Sequence, residues 1–161
     1  MNIRGKKIAV VGMGRSGVSV SKLALSLGAK VLCIDQNPTA PQVAGCQHLY
    51  GTEASDALAE QDLIILSPGV PPEQEFLQKA HRANIPFAGE LGFAASCITI
   101  PIIAVTGTNG KSSTVWYLYQ FLQQAGYQPF LGGNFGLALS ELALDPAAYD
   151  IAVVEVSSYH R

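Results

Sequence analysis

The sequence predicts an α/β protein made of two successive parallel-sheet units. Three observations carry that expectation. Two apolar runs end in glycine-rich turns that lead into helical patterns, once over residues 8–17 and again over 102–113. Apolar residues make up 48% of the 161-residue chain. Charged residues reach only 14%, against about 25% in an average globular domain. So low a charge suits strands covered by helices on both faces, as in parallel sheets.

In the first unit, Ile8, Ala9, Val10 and Val11 read as a buried strand that runs into the G-x-G-x-x-G spacing of Gly12, Gly14 and Gly17. A helix follows with Val20, Leu23, Ala24 and Leu27 on one face at i, i+3, i+4, i+7, and Gly28 is placed to stop it. Residues 31–34 form the second strand, with Asp35 at its end, 18 residues after Gly17. Strand, glycine turn, helix, strand and trailing acid together make a Rossmann-like pattern in its proper context. Residues 37–41 read as loop, 46–50 as a short strand, 55–60 as a short helix and 62–66 as a strand. Ser67-Pro68-Gly69-Val70-Pro71-Pro72 ends that strand, since neither helix nor central strand accepts those prolines. Residues 73–83 read as a helix with Phe76, Leu77, Ala80 and Ala83 inward. Residues 85–88 read as an edge strand, because Pro86 lacks a donor, and 89–93 open a short helix.

A boundary near Cys97 separates residues 1–97 from 98–161. The second unit starts with an apolar strand up to Val105 and then the turn Thr106-Gly107-Thr108-Asn109-Gly110-Lys111-Ser112-Ser113. The next helix carries Val115, Leu118, Tyr119 and Leu122 on one stripe, with Trp116 as a further packing residue, and Gly126 ends it. Residues 127–131 read as a strand. Gly132-Gly133-Asn134-Phe135-Gly136 is a second glycine turn, with Asn134 a candidate for left-handed backbone. A helix over 137–144 and a strand over 150–156, with Glu155 near its end, complete the pattern.

A net charge of −2 leaves no basic footprint for nucleic acid or anionic lipid. Cys33, Cys46 and Cys97 are odd in number and lack zinc spacing, which favours a reducing, cytosolic setting. The apolar run at the N-terminus, residues 8–11, is too short for a signal peptide or a membrane span.

The turn before Lys111 has the makings of a phosphate cradle. Glycines let backbone N–H groups face inward, and the following helix adds its positive end. Lys111 would reach outer phosphates and Ser112 would offer a hydroxyl to Mg²⁺. The generic G-x-x-x-x-G-K-[ST] pattern is not met, because Val105 stands where its first glycine belongs. Glu155 is placed to hold Mg²⁺ opposite the loop, unless it is simply a strand-end acid. In the first unit Asp35 can accept from a ribose or a base edge, or face solvent. Arg15 can cover a base or phosphate, or be solvated. Ser67-Pro68-Gly69 lies at the carboxyl end of a strand, where open α/β sheets bind ligands, or is a plain turn. His48, His81 and His160 show no ligand spacing.

The motif from Thr106 to Ser112 resembles the ATP-binding motif of the Mur ligases and the related folylpolyglutamate synthases. In chain order, the 12–17 turn, Ser67-Pro68-Gly69, Gly133-Asn134-Phe135-Gly136 and Glu155-Val156-Ser157-Ser158-Tyr159 are most similar to the D-glutamate-adding branch of that family. The resemblance covers the whole chain. It implies a Rossmann-like UDP-substrate-binding domain followed by the first part of the family's ATP-binding central α/β domain. It implies that Gly14, Arg15, Ser16, Asp35, Gln36, Ser67 and Gly69 hold the UDP part, with Asp35 on the uracil edge. Asn134 would contact the diphosphate-sugar region. Gly107, Thr108, Asn109, Gly110, Lys111, Ser112 and Ser113 would bind ATP, with Lys111 on the phosphates. Ser112 would hold one Mg²⁺ and Glu155 another, which makes Lys111 and Glu155 the catalytic pair. The implied reaction joins D-glutamate to UDP-N-acetylmuramoyl-L-alanine through an acyl phosphate, in a cytoplasmic monomer. Ser113 stands where threonine is usual, and Tyr159-His160 where Phe-Gln is common. The family's further metal-ligand histidine, carbamylated lysine and D-glutamate site have no counterpart up to Arg161. The expectation is therefore a partial enzyme that holds the UDP-substrate without completing ligation. The alternatives are an NAD(P)-dependent dehydrogenase, resting on the 12–17 turn and Asp35 alone, a nucleotide-binding fragment without catalysis, and another Mur or folate ligase.

Overall fold

The computed structural model describes residues 2–51 and 54–157. Two all-parallel sheets organise it, one with strand order β3-β2-β1-β4-β5 and one with order β6-β8-β7.

The first sheet is built from β1 (Lys7–Val11), β2 (Lys30–Asp35), β3 (Gln47–Tyr50), β4 (Leu63–Leu66) and β5 (Phe87–Gly89). Its helices are α1 (Arg15–Ser26), α2 (Ala54–Leu58), α3 (Gln78–Arg82) and α4 (Glu90–Ala95). β1 lies at the centre, paired with β2 on one side and β4 on the other. Alternate residues of each strand enter different cores, as a period of two requires. Ile8, Val10, Val31, Cys33, Leu63 and Ile65 pack with α1 and α4. Ala9, Val11, Leu32, Ile34 and Ile64 pack with α2 and α3. Both faces are thus covered, which explains the unbroken apolar strands.

The second sheet comprises β6 (Ile102–Val105), β7 (Pro129–Gly133) and β8 (Ile151–Glu155), with helices α5 (Lys111–Gln124) and α6 (Leu139–Leu144). β8 is the middle strand, in register with Val105 and Gly133 at Glu155. α5 packs across all three strands, while α6 packs on β7 and against α1 and α4. Through α6 the two units share one apolar core: Phe130, Leu139, Leu142, Ala152 and Val154 join the α1 side of the first sheet.

Several local expectations are corrected. Residues 73–83 do not form one helix: a 3₁₀ turn at Glu75–Leu77 precedes α3, which places Leu77 and Ala80 inward but leaves Ala83 exposed. Asn84, at φ 56°, turns the chain out of the helix there. Leu27 caps α1 instead of extending its buried face and is 38% exposed. Gly28 follows at φ +85° as expected. Trp116 is not a packing residue; it is 46% exposed and stacks on Tyr119. Strand β6 is only partly covered, with Ala104 exposed. Asn134 does not adopt left-handed backbone; Gly133 and Gly136 do, at φ +96° and +95°. Ser158, Tyr159 and His160 lie outside the described residues.

Candidate functional site

The order of the first sheet puts its reversal of winding at β1. The loops after β1, β2 and β4 therefore converge at the carboxyl edge, where such sheets open a crevice. A cleft of about 220 Å³ lies there, lined by Gly12, Asp35, Gln36, Gly69, Val70 and Gln74, among others. The turn that forms its wall is tightly tied. The Ser67 hydroxyl donates to the Gly12 carbonyl at 2.6 Å. The Met13 N–H donates to Asp35 Oδ2 at 2.6 Å, and the Asn37 N–H to Oδ1 at 2.8 Å. Gly17 is required by contact: a Cβ there would overlap the Gly12 carbonyl and come within 2.8 Å of the Ser67 hydroxyl.

The expected substrate residues are thus distributed among different tasks. Asp35, Gln36 and Gly69 line the cleft. Ser67 is buried and supports the turn from behind. Gly14 and Arg15 line a separate cavity of about 550 Å³, beside Lys22 of α1 and Glu141 of α6. Ser16 is half-buried at the start of α1. Asp35 braces backbone with both oxygens, yet each carboxylate oxygen keeps further acceptor capacity.

In the second sheet, β6 delivers the chain to the turn before α5. Gly107 sits at φ +147° and Gly110 at φ +75°, backbone that favours glycine. Lys111 folds back, its Nζ donating to the Gly107 carbonyl at 2.6 Å. Ser112 Oγ donates to Glu155 Oε2 at 2.6 Å. Glu155 is buried at the end of β8, the strand beside β6. Thr108, Asn109 and Ser113 are exposed. The Asn134 N–H donates to the Glu155 carbonyl at 3.0 Å, so the second glycine turn is anchored to the same residue. Gly133 makes that approach possible, since a Cβ on it would collide with the Glu155 carbonyl.

The donor set suits a hard cation. Ser112 and Glu155 supply two oxygens side by side, and Mg²⁺ takes oxygen ligands while leaving several positions to water and phosphate. Among the described residues no group of three His, Cys, Asp or Glu could hold a metal by itself. His48 bonds the Val43 backbone and His81 stacks on Phe87, which leaves both in structural roles.

Sequence reasoning missed one buried polar contact. Glu90, at the start of α4, accepts from the N–H and the hydroxyl of Ser140 in α6. Neither residue belongs to a recognisable motif, and their contact depends on how the two units pack.

A parallel sheet with a crevice at its switch point, followed by a second parallel sheet with a glycine-rich strand–helix turn and an acid on the adjacent strand, defines a class of two-unit α/β proteins. Family comparison makes the class specific. The MurD-like N-terminal domain of Mur ligases matches residues 6–89, and the Mur ligase middle domain matches residues 105–161. This chain belongs to the Mur ligase family. Among curated relatives, the UDP-N-acetylmuramoylalanine--D-glutamate ligase of Syntrophus aciditrophicus is 36% identical over 168 residues, covering 99% of this chain and 37% of the relative. The enzyme of the same name from Desulfosudis oleivorans is 39% identical over 163 residues, covering 96% and 35%. The chain thus spans little more than a third of the length of these relatives. Two solved structures share the fold. One is the Neisseria UDP-N-acetylmuramate:L-alanyl-gamma-D-glutamyl-meso-diaminopimelate ligase (TM-score 0.57, 17% identity, 97% of this chain and 55% of that one). The other is the Thermotoga maritima UDP-N-acetylmuramate-alanine ligase (TM-score 0.55, 21% identity, 94% and 37%).

Proposed function

We propose that this chain carries the UDP-substrate site and the ATP-phosphate loop of an ATP-dependent ligase that joins D-glutamate to UDP-N-acetylmuramoyl-L-alanine. The observation that carries the reading is the pairing of the cleft at Asp35 and Gly69 with the Lys111, Ser112 and Glu155 cluster on an adjoining sheet. A dehydrogenase would need only the first.

Asp35 offers carboxylate oxygens at the edge of the cleft, beside Gln36 and the open Gly69 turn, for the uracil end of the substrate. Arg15, in the cavity beside Gly14, and the start of α1 would favour negative charge there. Lys111 is held over the loop by the Gly107 carbonyl and would exchange that partner for a phosphate oxygen. Ser112 and Glu155 would hold Mg²⁺. When bound, Mg²⁺-ATP supplies the phosphoryl group that activates a carboxylate toward an amine. Lys111 contributes fixed positive charge where a carboxylate and a phosphate must approach despite their repulsion. Asn134, whose N–H is bonded to the Glu155 carbonyl, would contact the diphosphate-sugar part.

Calorimetric titration of the chain tests the reading. Binding of UDP in preference to NADH, and Mg²⁺-dependent binding of ATP, are the expected results. Preference for NADH, or no effect of Mg²⁺ on ATP binding, would reject it.

A further inference from the structure

We propose that Glu90 is a positioning residue that sets the Asn134 turn against the nucleotide cleft, and so governs binding of an extended UDP-sugar ligand but not of UDP itself. The inference rests on the function proposed above.

Glu90 is 3% exposed, and its Oε1 accepts from the Ser140 N–H at 2.8 Å and the Ser140 hydroxyl at 2.7 Å. It makes no ion pair among the described residues. Burying a carboxylate without a cation is costly unless hydrogen bonds satisfy it, and an apolar pair would join the two helices more cheaply. What the polar contact adds is a fixed register. α6 has no cap of its own, since Ala138 precedes it, so Glu90 satisfies one of its unpaired N–H groups from another element.

Glu90 is connected by short chains of contacts to each half of the proposed ligand path. On one side, Gly89 of β5 is in register with Leu66 of β4, and β4 continues through Ser67 and Pro68 to Gly69, which lines the cleft. On the other, α6 follows the second glycine turn without slack. The Gly133 N–H donates to the Leu137 carbonyl at 2.9 Å, and the Leu137 N–H to the Leu131 carbonyl at 3.2 Å. Asn134 is itself bonded to Glu155. A shift of α6 relative to α4 therefore moves Asn134 relative to Gly69. A ligand confined to the cleft does not sense that shift, whereas one reaching both places does.

The test titrates the wild type, Glu90→Ala, Glu90→Gln and Ser140→Ala with UDP and with UDP-N-acetylmuramoyl-L-alanine, and records a melting curve for each. For Glu90→Ala the expected result is UDP affinity within about twofold of wild type and a loss of about tenfold for the extended ligand, a change of about 1.4 kcal/mol. Glu90→Gln keeps an oxygen for Ser140 and restores most of the loss. If Glu90→Ala does not fold, Ser140→Ala decides, with a loss of about threefold confined to the extended ligand. Equal losses for both ligands, or none for the extended one, would overturn the proposal. A wild type that binds neither ligand would instead reject the function on which it rests, and the proposal with it.

Discussion

The Ser112 hydroxyl donates to the Glu155 carboxylate at 2.6 Å, across 43 positions of sequence. The contact exists because β6 and β8 are neighbours with Val105 opposite Glu155, so the loop leaving one strand meets the acid ending the other. It brings together the two side-chain oxygens proposed above as Mg²⁺ ligands. Through the Glu155 carbonyl it also reaches Asn134. One residue thus ties the phosphate loop to the turn assigned to the sugar end of the substrate.

Replacing Glu155 by Gln keeps an oxygen for Ser112 and removes the charge. The expected effect is selective: ATP affinity in a chelator stays as in wild type, while the gain on adding Mg²⁺ falls by about tenfold or more. Paired titrations with and without Mg²⁺ measure it. An undiminished magnesium effect would remove Glu155 from the metal site.

Lys111→Met tests the phosphate contact. Its ammonium is the only charge in the loop from Thr106 to Ser113, and it is aimed at the loop interior by the Gly107 carbonyl. A hydrogen bond to a charged group contributes about 1.5–3 kcal/mol, so ATP affinity should drop by roughly 10–100-fold. AMP, which lacks the outer phosphates, should bind equally to both proteins. Competition against a fluorescent ATP analogue separates the two cases.

Both glycine loops were legible because they join local signals: an apolar strand, fixed glycine spacing, and a helix with one apolar face. Asp35 and Glu155 were legible as acids ending strands. The helix over residues 73–83 was misread because apolar spacing alone cannot reveal a 3₁₀ turn at Glu75–Leu77 or the left-handed Asn84. Trp116 was misread because a large aromatic predicts burial only where something covers it, and this face of α5 is open, with Tyr117 and Phe121 also exposed. The Glu90–Ser140 contact was invisible because it depends on α6 crossing to the first unit, a long-range event that no local period encodes.

Gly17→Ala and Gly14→Ala should behave oppositely, though both alter the same motif. A Cβ at Gly17 meets the Gly12 carbonyl and the Ser67 hydroxyl, whereas at Gly14 nothing lies within 4 Å and the backbone is extended at φ −72°. Overpacking of this kind costs about 1–3 kcal/mol, and each kcal/mol lowers Tm by roughly 2–4 °C at this size. Gly17→Ala should therefore melt several degrees below wild type and Gly14→Ala close to it. Equal melting of the two variants would contradict the close approach at Gly17.

Cys33 of β2 and Cys46, in the bend before β3, give a prediction on the alkaline side. Burial, together with the neighbouring Cys33, pushes the Cys46 thiol up to about 12, and burial raises Cys33 as well. In an unfolded chain a cysteine titrates near about 8.5. As pH rises past that value the unfolded chain releases these protons first, while the folded one keeps them. The stabilisation is therefore whole below about 8.5 and is lost progressively as pH climbs toward the folded values. Urea midpoints should fall between about pH 8.5 and 10.5, and less steeply in Cys46→Ser than in wild type. Because the thiolate is the nucleophile, iodoacetamide at about pH 8 should modify Cys46 in the folded chain far more slowly than in urea. Mass spectrometry of timed samples reads this directly. Equal rates in the two conditions would show that burial does not hold Cys46 in its thiol form.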